Sequence, residues 1–379
     1  MIRNFVGSVF MKGESVVRCK NCILPVERER TRGYLWADAQ GLCSFCRAFR
    51  KRFGEAKSPS ALVAQLDNIV HDARRKAKGE YDVLIPISGG KDSLTVLDYI
   101  VTRYPGIRVL AVTIDNGFLN PVALESCSKV TKTLGVDHIV WAPPHMRELA
   151  AIFLRKTGHF CCPCEITLMN VMHKLTKEHG IPLVALGSSR SYDGAHPESV
   201  NPWTPPFFDK VLEDEKHQDQ LREGVATKRL LFTFGARVLL GKVRMVTVPD
   251  LLEWDKHANR ARLQEKYNIE IGDEHADCLA SPLADWLYKR RCGFGQKTAS
   301  LAAQVRNGII QRDKALELLA GMDEFGEHFP LEQAKHFLER TGMSVDEVIA
   351  CSIRSPEPYF GFLFKAVGFA RDLMGLSIA

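Results

Sequence analysis

A glycine-rich loop follows a short apolar run and carries the side chains best suited to chemistry. Its sequence is Ser88-Gly89-Gly90-Lys91-Asp92-Ser93, and a helical pattern follows directly. The glycines allow the backbone to approach phosphate oxygens, and the free N–H groups at the start of a helix attract anions. Ser88 and Ser93 can donate hydrogen bonds, Lys91 can neutralise phosphate charge, and Asp92 suits a direct or indirect contact to Mg²⁺. The spacing differs from the Walker loop, so we predict a distinct phosphate site with Lys91 and Asp92 facing solvent.

Two cysteine pairs near the N-terminus have the spacing of a metal site. They are Cys19-Lys-Asn-Cys22 and Cys43-Ser-Phe-Cys46, within a module of residues 17–48. Four thiolates so spaced are typical of tetrahedral structural zinc, and a module of this size cannot hold a core without metal. Zn²⁺ is the predicted ligand, and four unligated buried cysteines are the alternative. The many arginines and lysines nearby can either contact a polyanion or form a solvated basic face.

A third group of cysteines lies in the middle of the chain. Cys161-Cys162-Pro163-Cys164 contains another CxxC pair, and Cys278 follows far downstream. Cys161, Cys164 and Cys278 can hold an iron–sulfur cluster with one open iron, or a second metal. They can also act as a redox or persulfide pair. The remaining interpretation is a helix-start turn with a buried Cys278.

The elements that position these residues follow an alternating pattern. Short apolar runs suited to strands alternate with helical patterns, and the runs lie at 81–87, 109–114, 138–141 and 183–186. This alternation predicts an α/β domain, residues 80–282, whose parallel sheet is covered by helices on both faces. A basic linker helix at 58–78 precedes this domain, and an all-helical region, 283–379, follows it. Residues 196–226, rich in Pro, Asp and Glu, are predicted to form a substrate-facing insertion or mobile loop.

Composition bounds the class of protein. The 379 residues are 45% hydrophobic and 25% charged, as expected for a globular protein of roughly two domains. The net charge of +6 fits anionic ligands. No apolar run approaches the ~20 residues of a membrane span, and the start lacks the features of a signal peptide. We therefore expect a cytoplasmic protein, in which eleven cysteines indicate metal or sulfur chemistry rather than disulfides.

The strand, the loop and the helix after it together resemble the PP-loop of the ATP pyrophosphatase superfamily. Members of this superfamily cleave ATP between its α and β phosphates and form an adenylated intermediate. The resemblance implies that the end of the second strand contacts adenosine, which here corresponds to Thr113, Ile114 and Asp115. It also implies that a glycine after a later strand closes the site, which here is Gly187 with Ser188.

Within that superfamily, the chain resembles the N-acetyl sugar amidotransferases, which make acetamidino sugars for surface polysaccharides. The cysteine module, the PP-loop and the mid-chain cysteines all match, and the C-terminal region is the most specific part. Its matching segments are Arg291-Cys292-Gly293-Phe294-Gly295-Gln296, Val305-Arg306-Asn307-Gly308 and Arg312-Asp313-Lys314-Ala315. The resemblance implies an acceptor that is an N-acetylated sugar nucleotide, with ammonia supplied by a partner glutaminase subunit. The chain departs from the family pattern at Gly187-Ser188-Ser189-Arg190-Ser191, a stretch expected to face the acceptor.

Two alternatives stay open. The chain is also similar to tRNA 2-thiolation enzymes, in which the last three cysteines carry a [4Fe-4S] cluster and sulfur replaces nitrogen; tRNA is a partner only under this alternative. That family's second zinc module is not found at the C-terminus. A non-catalytic ATP-binding scaffold is the other alternative, against which the intact loop argues. A homodimer is compatible with either reading.

Overall fold

The computed structural model describes residues 16–26, 37–53, 58–189, 205–226, 230–272, 276–354 and 356–359. Several predicted features fall outside these ranges. They are residues 196–204 of the predicted insertion, the Arg190-Ser191 pair, residues 27–36 of the cysteine module, and residues 360–379 of the C-terminal region.

A five-stranded parallel sheet forms the centre of the molecule and confirms the predicted fold class. Its strands are β1 (Val83–Pro86), β2 (Val109–Ile114), β3 (Asp137–Trp141), β4 (Leu183–Leu186) and β5 (Arg244–Thr247). They are hydrogen-bonded in the order β3-β2-β1-β4-β5, and each neighbouring pair is parallel. The strand β5 was not predicted, because it lies at the sheet edge and half of its short length is exposed.

Helices cover both faces of the sheet. The helices α2 (Pro59–Lys76), α3 (Lys91–Arg103), α4 (Pro121–Leu134) and α10 (Lys256–Tyr267) pack on one face, where Val83 and Ile85 point. The helices α6 (Cys162–Glu178) and α9 (Leu230–Leu239) pack on the other face, against Leu84. This division follows from the alternation of side chains along a strand. The helix predicted at 58–78 therefore forms part of this packing.

The order of the strands creates a crevice at one edge of the sheet. The central strand β1 pairs with β2 on one side and with β4 on the other. The chain adds β2 and β3 on one side of β1 and then crosses over to add β4 and β5 on the other side, so the strand order switches at β1. In open parallel sheets, ligands bind at such a switch point, beyond the carboxyl ends of the strands. The glycine-rich loop follows β1 and therefore lies in this crevice.

The region from 205 to 226 corrects the predicted mobile loop. It contains the helices α7 (Pro205–Val211) and α8 (Gln218–Leu221). Phe208, Val211 and Leu212 are fully buried against α6 and the helix α5 (Met146–Thr157). Its Pro, Asp and Glu content suggested a loop, but these apolar side chains attach the segment to the domain.

The C-terminal region is helical throughout its described part. It consists of α11 (Ser281–Cys292), α12 (Gln296–Arg306), α13 (Arg312–Leu319), α14 (Leu331–Thr341) and α15 (Val345–Cys351). Ser344 and Glu347, whose spacing in the sequence predicts a capping box, form one at the start of α15. In the ranges that the structure describes, no helix is both long enough and apolar enough to cross a membrane.

A buried carboxylate joins α3 to α10. Asp98, which is 2% exposed, accepts hydrogen bonds from Arg262, from Lys266 Nζ at 2.6 Å and from Tyr267 Oη at 2.5 Å. Burial alone raises the pKa of Asp98, but these three hydrogen bonds outweigh it and lower that pKa. A lowered pKa in the folded state means that ionised Asp98 stabilises the fold above its unfolded pKa of about 3.9.

We predict that Asp98→Asn lowers the free energy of unfolding by roughly 3 kcal/mol at pH 7, because it removes one partner of a buried ion network. The difference from wild type should shrink as the pH falls below about 4, where Asp98 becomes protonated in the unfolded chain. Urea unfolding at several pH values measures both effects. Asp72→Asn is the control, because Asp72 forms only exposed pairs with Arg75 and Lys76 on α2. Equal losses in the two variants would contradict the prediction.

Candidate active site at the carboxyl edge of the sheet

The glycine-rich loop is held by a contact that only glycine permits. Gly89 has a φ of +84°, and a Cβ there would lie 2.4 Å from the carbonyl oxygen of Ala123 at the start of α4. Both the backbone conformation and the close approach exclude a larger residue. The loop therefore passes directly over α4 before α3 begins.

The two serines of the loop bind each other and the loop backbone. Ser93 Oγ accepts a hydrogen bond from Ser88 N at 3.1 Å and donates one to the carbonyl oxygen of Gly90 at 3.2 Å. Ser88 Oγ accepts from Gly90 N at 3.4 Å. These hydroxyl groups hold the turn in shape, which sets the direction of the N–H groups that begin α3.

Lys91 and Asp92 are less exposed than we predicted. Their side chains are 12% and 21% exposed, and Lys91 Nζ lies 3.3 Å from Asp92 Oδ2. Asp92 Oδ1 accepts a hydrogen bond from Trp254 Nε1 at 2.9 Å. Both side chains are therefore partly buried rather than fully exposed to solvent, and Trp254 covers one carboxylate oxygen of Asp92. No local pattern in the sequence indicates this contact, since 162 positions separate the two residues.

Gly187 lies against the start of α3, where a closing glycine was predicted. A Cβ on Gly187 would lie 2.7 Å from Ser93 Cα and 2.8 Å from Ser93 N. The carboxyl end of β4 therefore contacts the N-terminus of α3 backbone to backbone. Ser188 follows and is exposed beside it.

The three residues at the end of β2 that the resemblance assigns to adenosine differ in their exposure. The Thr113 side chain is buried, and its hydroxyl donates to the carbonyl oxygen of Ile87 at 2.9 Å and lies 2.8 Å from His138 Nε2. This hydroxyl therefore joins neighbouring strands. Ile114 and Asp115 are partly exposed at the crevice edge, and Asp115 Oδ1 accepts from Gly117 N at 2.9 Å.

The mid-chain cysteines meet in a small cavity beside the loop. Cys161, Cys164 and Cys278 all line this cavity, whose volume is about 190 Å³. The amide nitrogen of Asn116 lies 3.6 Å from the sulfur atoms of both Cys164 and Cys278. The fold thus brings together cysteines that are more than 100 positions apart in the sequence. Asn116 was not predicted as a site residue, although it directly follows the end of β2 and its neighbour Asp115.

Burial favours the neutral form of two of these thiols, Cys164 and Cys278. It raises the pKa of Cys164 to about 12, and it also raises the pKa of Cys278. Within the described residues, the only group of three or more metal-ligating side chains within 4.8 Å of one another is the N-terminal set of four cysteines. The cysteines around Asn116 are therefore more widely spaced than the ligands of a single zinc ion.

A second, larger cavity, which we call the main cavity, connects the loop to the C-terminal helices. Its volume is about 1100 Å³, and Lys91 lines it together with residues of α10, α11 and α12. Cys278, Ser281 and Gln296 line both cavities, so the two adjoin. Asp277, which was not predicted either, lies near the loop: its carboxylate carbon is 3.8 Å from the position of a Cβ on Gly90.

The N-terminal cysteines have the geometry of a zinc site. Their sulfur atoms are 3.7 Å apart in the pairs Cys19–Cys46 and Cys22–Cys43. Four sulfur atoms at ~2.3 Å from zinc, at the corners of a tetrahedron, are about 3.8 Å apart. The donor set and its spacing therefore fit Zn²⁺.

The cysteine module, residues 17–26 and 37–53, packs against the C-terminal region. The cysteines share an apolar cluster with Phe294, with Leu301 of α12 and with Leu319 of α13. At the start of α13, Arg312 donates hydrogen bonds to the carbonyl oxygens of Cys22 at 3.1 Å and Cys19 at 3.4 Å. The two ends of the chain therefore form one structural unit beside the main cavity.

Comparison with known proteins concerns this same C-terminal unit. Residues 263–369 match the family described as LPS biosynthesis protein WbpG-like, C-terminal domain. The predicted resemblance to a family of surface-polysaccharide biosynthesis is thereby confirmed for residues 263–369. An uncharacterised protein of Methanocaldococcus jannaschii is 20% identical over 297 residues, which cover 78% of this chain and 91% of the relative.

Solved structures similar to the chain include two enzymes of nucleotide or RNA metabolism. The U34-tRNA thiolase NcsA of Methanococcus maripaludis, solved with its [4Fe-4S] cluster, is 15% identical, with a TM-score of 0.33 and coverage of 88% of this chain and 96% of its own. An NH3-dependent NAD synthetase of Campylobacter jejuni is 14% identical, with a TM-score of 0.29 and coverage of 55% and 95%. Sequence identities and TM-scores this low carry no conclusion about the function of this chain.

We predict that Gly187→Ala weakens ATP binding about tenfold, because the added methyl group forces β4 away from the start of α3. Isothermal titration calorimetry with ATP measures the affinity, and thermal unfolding measures the accompanying loss of stability. Gly235→Ala is the matched control, since a Cβ there meets nothing within 4 Å in α9. Unchanged ATP affinity in the Gly187 variant would contradict the close contact.

A second prediction concerns the cysteine module. Cys43→Ser should remove one equivalent of zinc and expose residues 296–319 to proteases as well as the module, because the two pack together. Metal analysis and limited proteolysis with mass spectrometry measure these outcomes. Cys351→Ser, in a buried cysteine of α15, should retain the zinc. A zinc-free variant with an intact C-terminal region would show that the module is not needed for this packing.

Proposed function

We propose that the protein is an ATP-dependent amidotransferase, which converts the N-acetyl group of a sugar nucleotide into an acetamidino group and releases AMP and pyrophosphate. The observation that carries the proposal is the main cavity. Lys91 of the glycine-rich loop lines it at one end, and the helices of the WbpG-like domain line much of the rest. One cavity therefore joins a phosphate-binding loop to the region whose relatives act in LPS biosynthesis.

The loop is suited to ATP and Mg²⁺. The N–H groups at the start of α3, the Gly89 and Gly90 backbone and Lys91 provide positive charge for the phosphates. The carboxylates of Asp92 and Asp277 lie beside the same loop and would repel phosphate alone, whereas a magnesium ion between carboxylate and phosphate removes this repulsion. Asp92 and Asp277 are therefore the residues proposed to hold Mg²⁺, which neutralises the charge that develops on pyrophosphate.

The proposed reaction has two steps. The acetamido oxygen attacks the α-phosphorus of ATP, the bond to the β-phosphate breaks, and pyrophosphate leaves. Ammonia then adds to the imidate carbon, AMP departs with the former amide oxygen, and the product is the amidine in its protonated, amidinium form. The protein contributes positioning and electrostatic stabilisation. No glutaminase signature is found in the sequence, so the proposed source of ammonia is a partner glutaminase subunit.

A specific observation favours a second candidate, sulfur transfer. Cys164 and Cys278 both contact Asn116 in a cavity that adjoins the main cavity, which suits a cluster or a persulfide that delivers sulfide to an adenylated substrate. Cys161, Cys164 and Cys278 are the proposed ligands in that case. Iron with labile sulfide in anaerobically purified protein would support this candidate, and zinc alone would support the amidotransferase.

We predict that the protein forms AMP, pyrophosphate and an amidine when supplied with ATP, Mg²⁺, ammonium and an N-acetylated sugar nucleotide. AMP formation without acceptor should be slow, since the amide oxygen is the attacking group. Lys91→Ala should lower the rate about 100-fold, because its charge stabilises the leaving pyrophosphate. Liquid chromatography with mass spectrometry separates amidine from amide and quantifies AMP.

Lys132→Ala, at an exposed lysine of α4, is the matched control and should retain activity. Absence of any amidine, together with labelled sulfur that enters tRNA when sulfide is supplied, would transfer the protein to the second candidate. Absence of pyrophosphate release under all conditions would instead indicate an ATP-binding scaffold.

A further inference from the structure

A salt bridge joins the cysteine module to the wall of the main cavity. Arg18, next to the first cysteine, donates two hydrogen bonds to the carboxylate of Glu324, at 2.9 Å and 2.7 Å. The two side chains are only 16% and 8% exposed. Glu324 lines the main cavity and lies 3.4 Å from the hydroxyl of Thr298, another cavity residue.

The lysine and arginine side chains that line the cavity are equal in number to the carboxylates when Glu324 is included. Five lysine or arginine side chains and five carboxylates line it. Asp285 is paired with Lys289 at 2.9 Å, and Asp255 and Asp323 accept hydrogen bonds from backbone N–H groups. Glu324 differs from these, because its counter-charge comes from Arg18, outside the cavity lining. Arg18 therefore makes the surroundings of the cavity net positive.

We propose that Arg18 is a positioning residue that allows the main cavity to bind an anionic acceptor, a nucleoside diphosphate sugar. The identity of this acceptor rests on the proposed function. Arg18 acts through Glu324, whose negative charge it cancels. Without Arg18, a poorly hydrated carboxylate in the wall would repel the diphosphate, since charges interact strongly where water is partly excluded. The zinc module would thus help to select the acceptor.

Arg18 also donates a hydrogen bond to the carbonyl oxygen of Ile23 at 2.8 Å within the module, but it is not the module's sole contact with the C-terminal helices. The module also contacts the C-terminal helices through Arg312, which binds two carbonyl oxygens of the first cysteine pair, and through the buried apolar cluster that includes Phe294. An electrostatic role can therefore be separated from a structural role by changing the charge of the pair without removing these contacts.

The test compares wild type with Arg18→Ala, Glu324→Gln and the double variant, with UDP as the probe in isothermal titration calorimetry. Arg18→Ala should weaken UDP binding about tenfold, and the loss should diminish at high salt. The double variant has the same net charge as wild type and should recover most of the affinity. Zinc content should stay the same in all variants. ATP affinity should also stay unchanged, because no hydrogen bond or ion pair joins Arg18 or Glu324 to the glycine-rich loop in the described part of the chain.

Arg108→Ala is the matched control, because Arg108 forms a similar pair with the buried Asp82 at the opposite edge of the sheet. It should leave UDP affinity unchanged. A double variant no better than Arg18→Ala would show a purely structural role, and an equal loss of ATP affinity would show that the charge serves ATP; either result overturns the proposal. Failure of wild type to bind UDP would also overturn it. Failure of amidine formation with intact, Arg18-dependent UDP binding would overturn only the proposed reaction.

Discussion

Two backbone contacts at the carboxyl edge of the sheet determine how the rest of the site can be built. At Gly89 and at Gly187 there is no space for a Cβ, because one residue rests on the Ala123 carbonyl and the other on the backbone of Ser93. These contacts press the loop after β1 between α4 and the end of β4. The N–H groups at the start of α3 are therefore directed into the crevice at the switch point of the sheet, where phosphate is expected to bind. The main cavity, the mid-chain cysteines and the C-terminal helices lie around this point.

The distant ends of the chain complete the site that the central sheet begins. The sheet provides the loop, and helices of the C-terminal region line the main cavity beside it. Of these helices, α12 and α13 are supported by the cysteine module through Arg312 and the apolar cluster around Leu301. A small module whose four cysteines could hold a metal ion thus supports a wall of the main cavity. If the module takes its folding energy from that metal, loss of the metal would also disturb the cavity wall.

The sequence predicted those features that depend on neighbouring residues. The strands β1 to β4 are short apolar runs, and the loop, the two N-terminal cysteine pairs and the Ser344–Glu347 capping box are local patterns. The edge strand β5 was missed because its side chains are not continuously apolar. The helix α7 was missed because its Pro and Asp residues concealed an apolar face.

Contacts between distant segments could not be predicted in the same way. Trp254 hydrogen-bonds to Asp92 across 162 positions, and Asp277 reaches Gly90 only through the fold. Of the site residues that were not predicted, Asn116 has the clearest local signal, because it lies just after a strand that ends at the crevice. Nothing in its own neighbourhood indicates that it contacts Cys164 and Cys278, since those residues arrive from α6 and from the segment before α11.

The relation between the two cavities links nitrogen transfer and sulfur transfer. The small cavity has a volume of about 190 Å³, which is far too small for a sugar nucleotide, and it shares Cys278, Ser281 and Gln296 with the main cavity. Any reagent held there must be small, and ammonia and sulfide both satisfy this size limit. Under either proposed function, the shared lining would let such a nucleophile pass from the small cavity to a substrate in the main cavity. The fold is thus compatible with both proposals, which differ in the chemistry assigned to Cys161, Cys164 and Cys278.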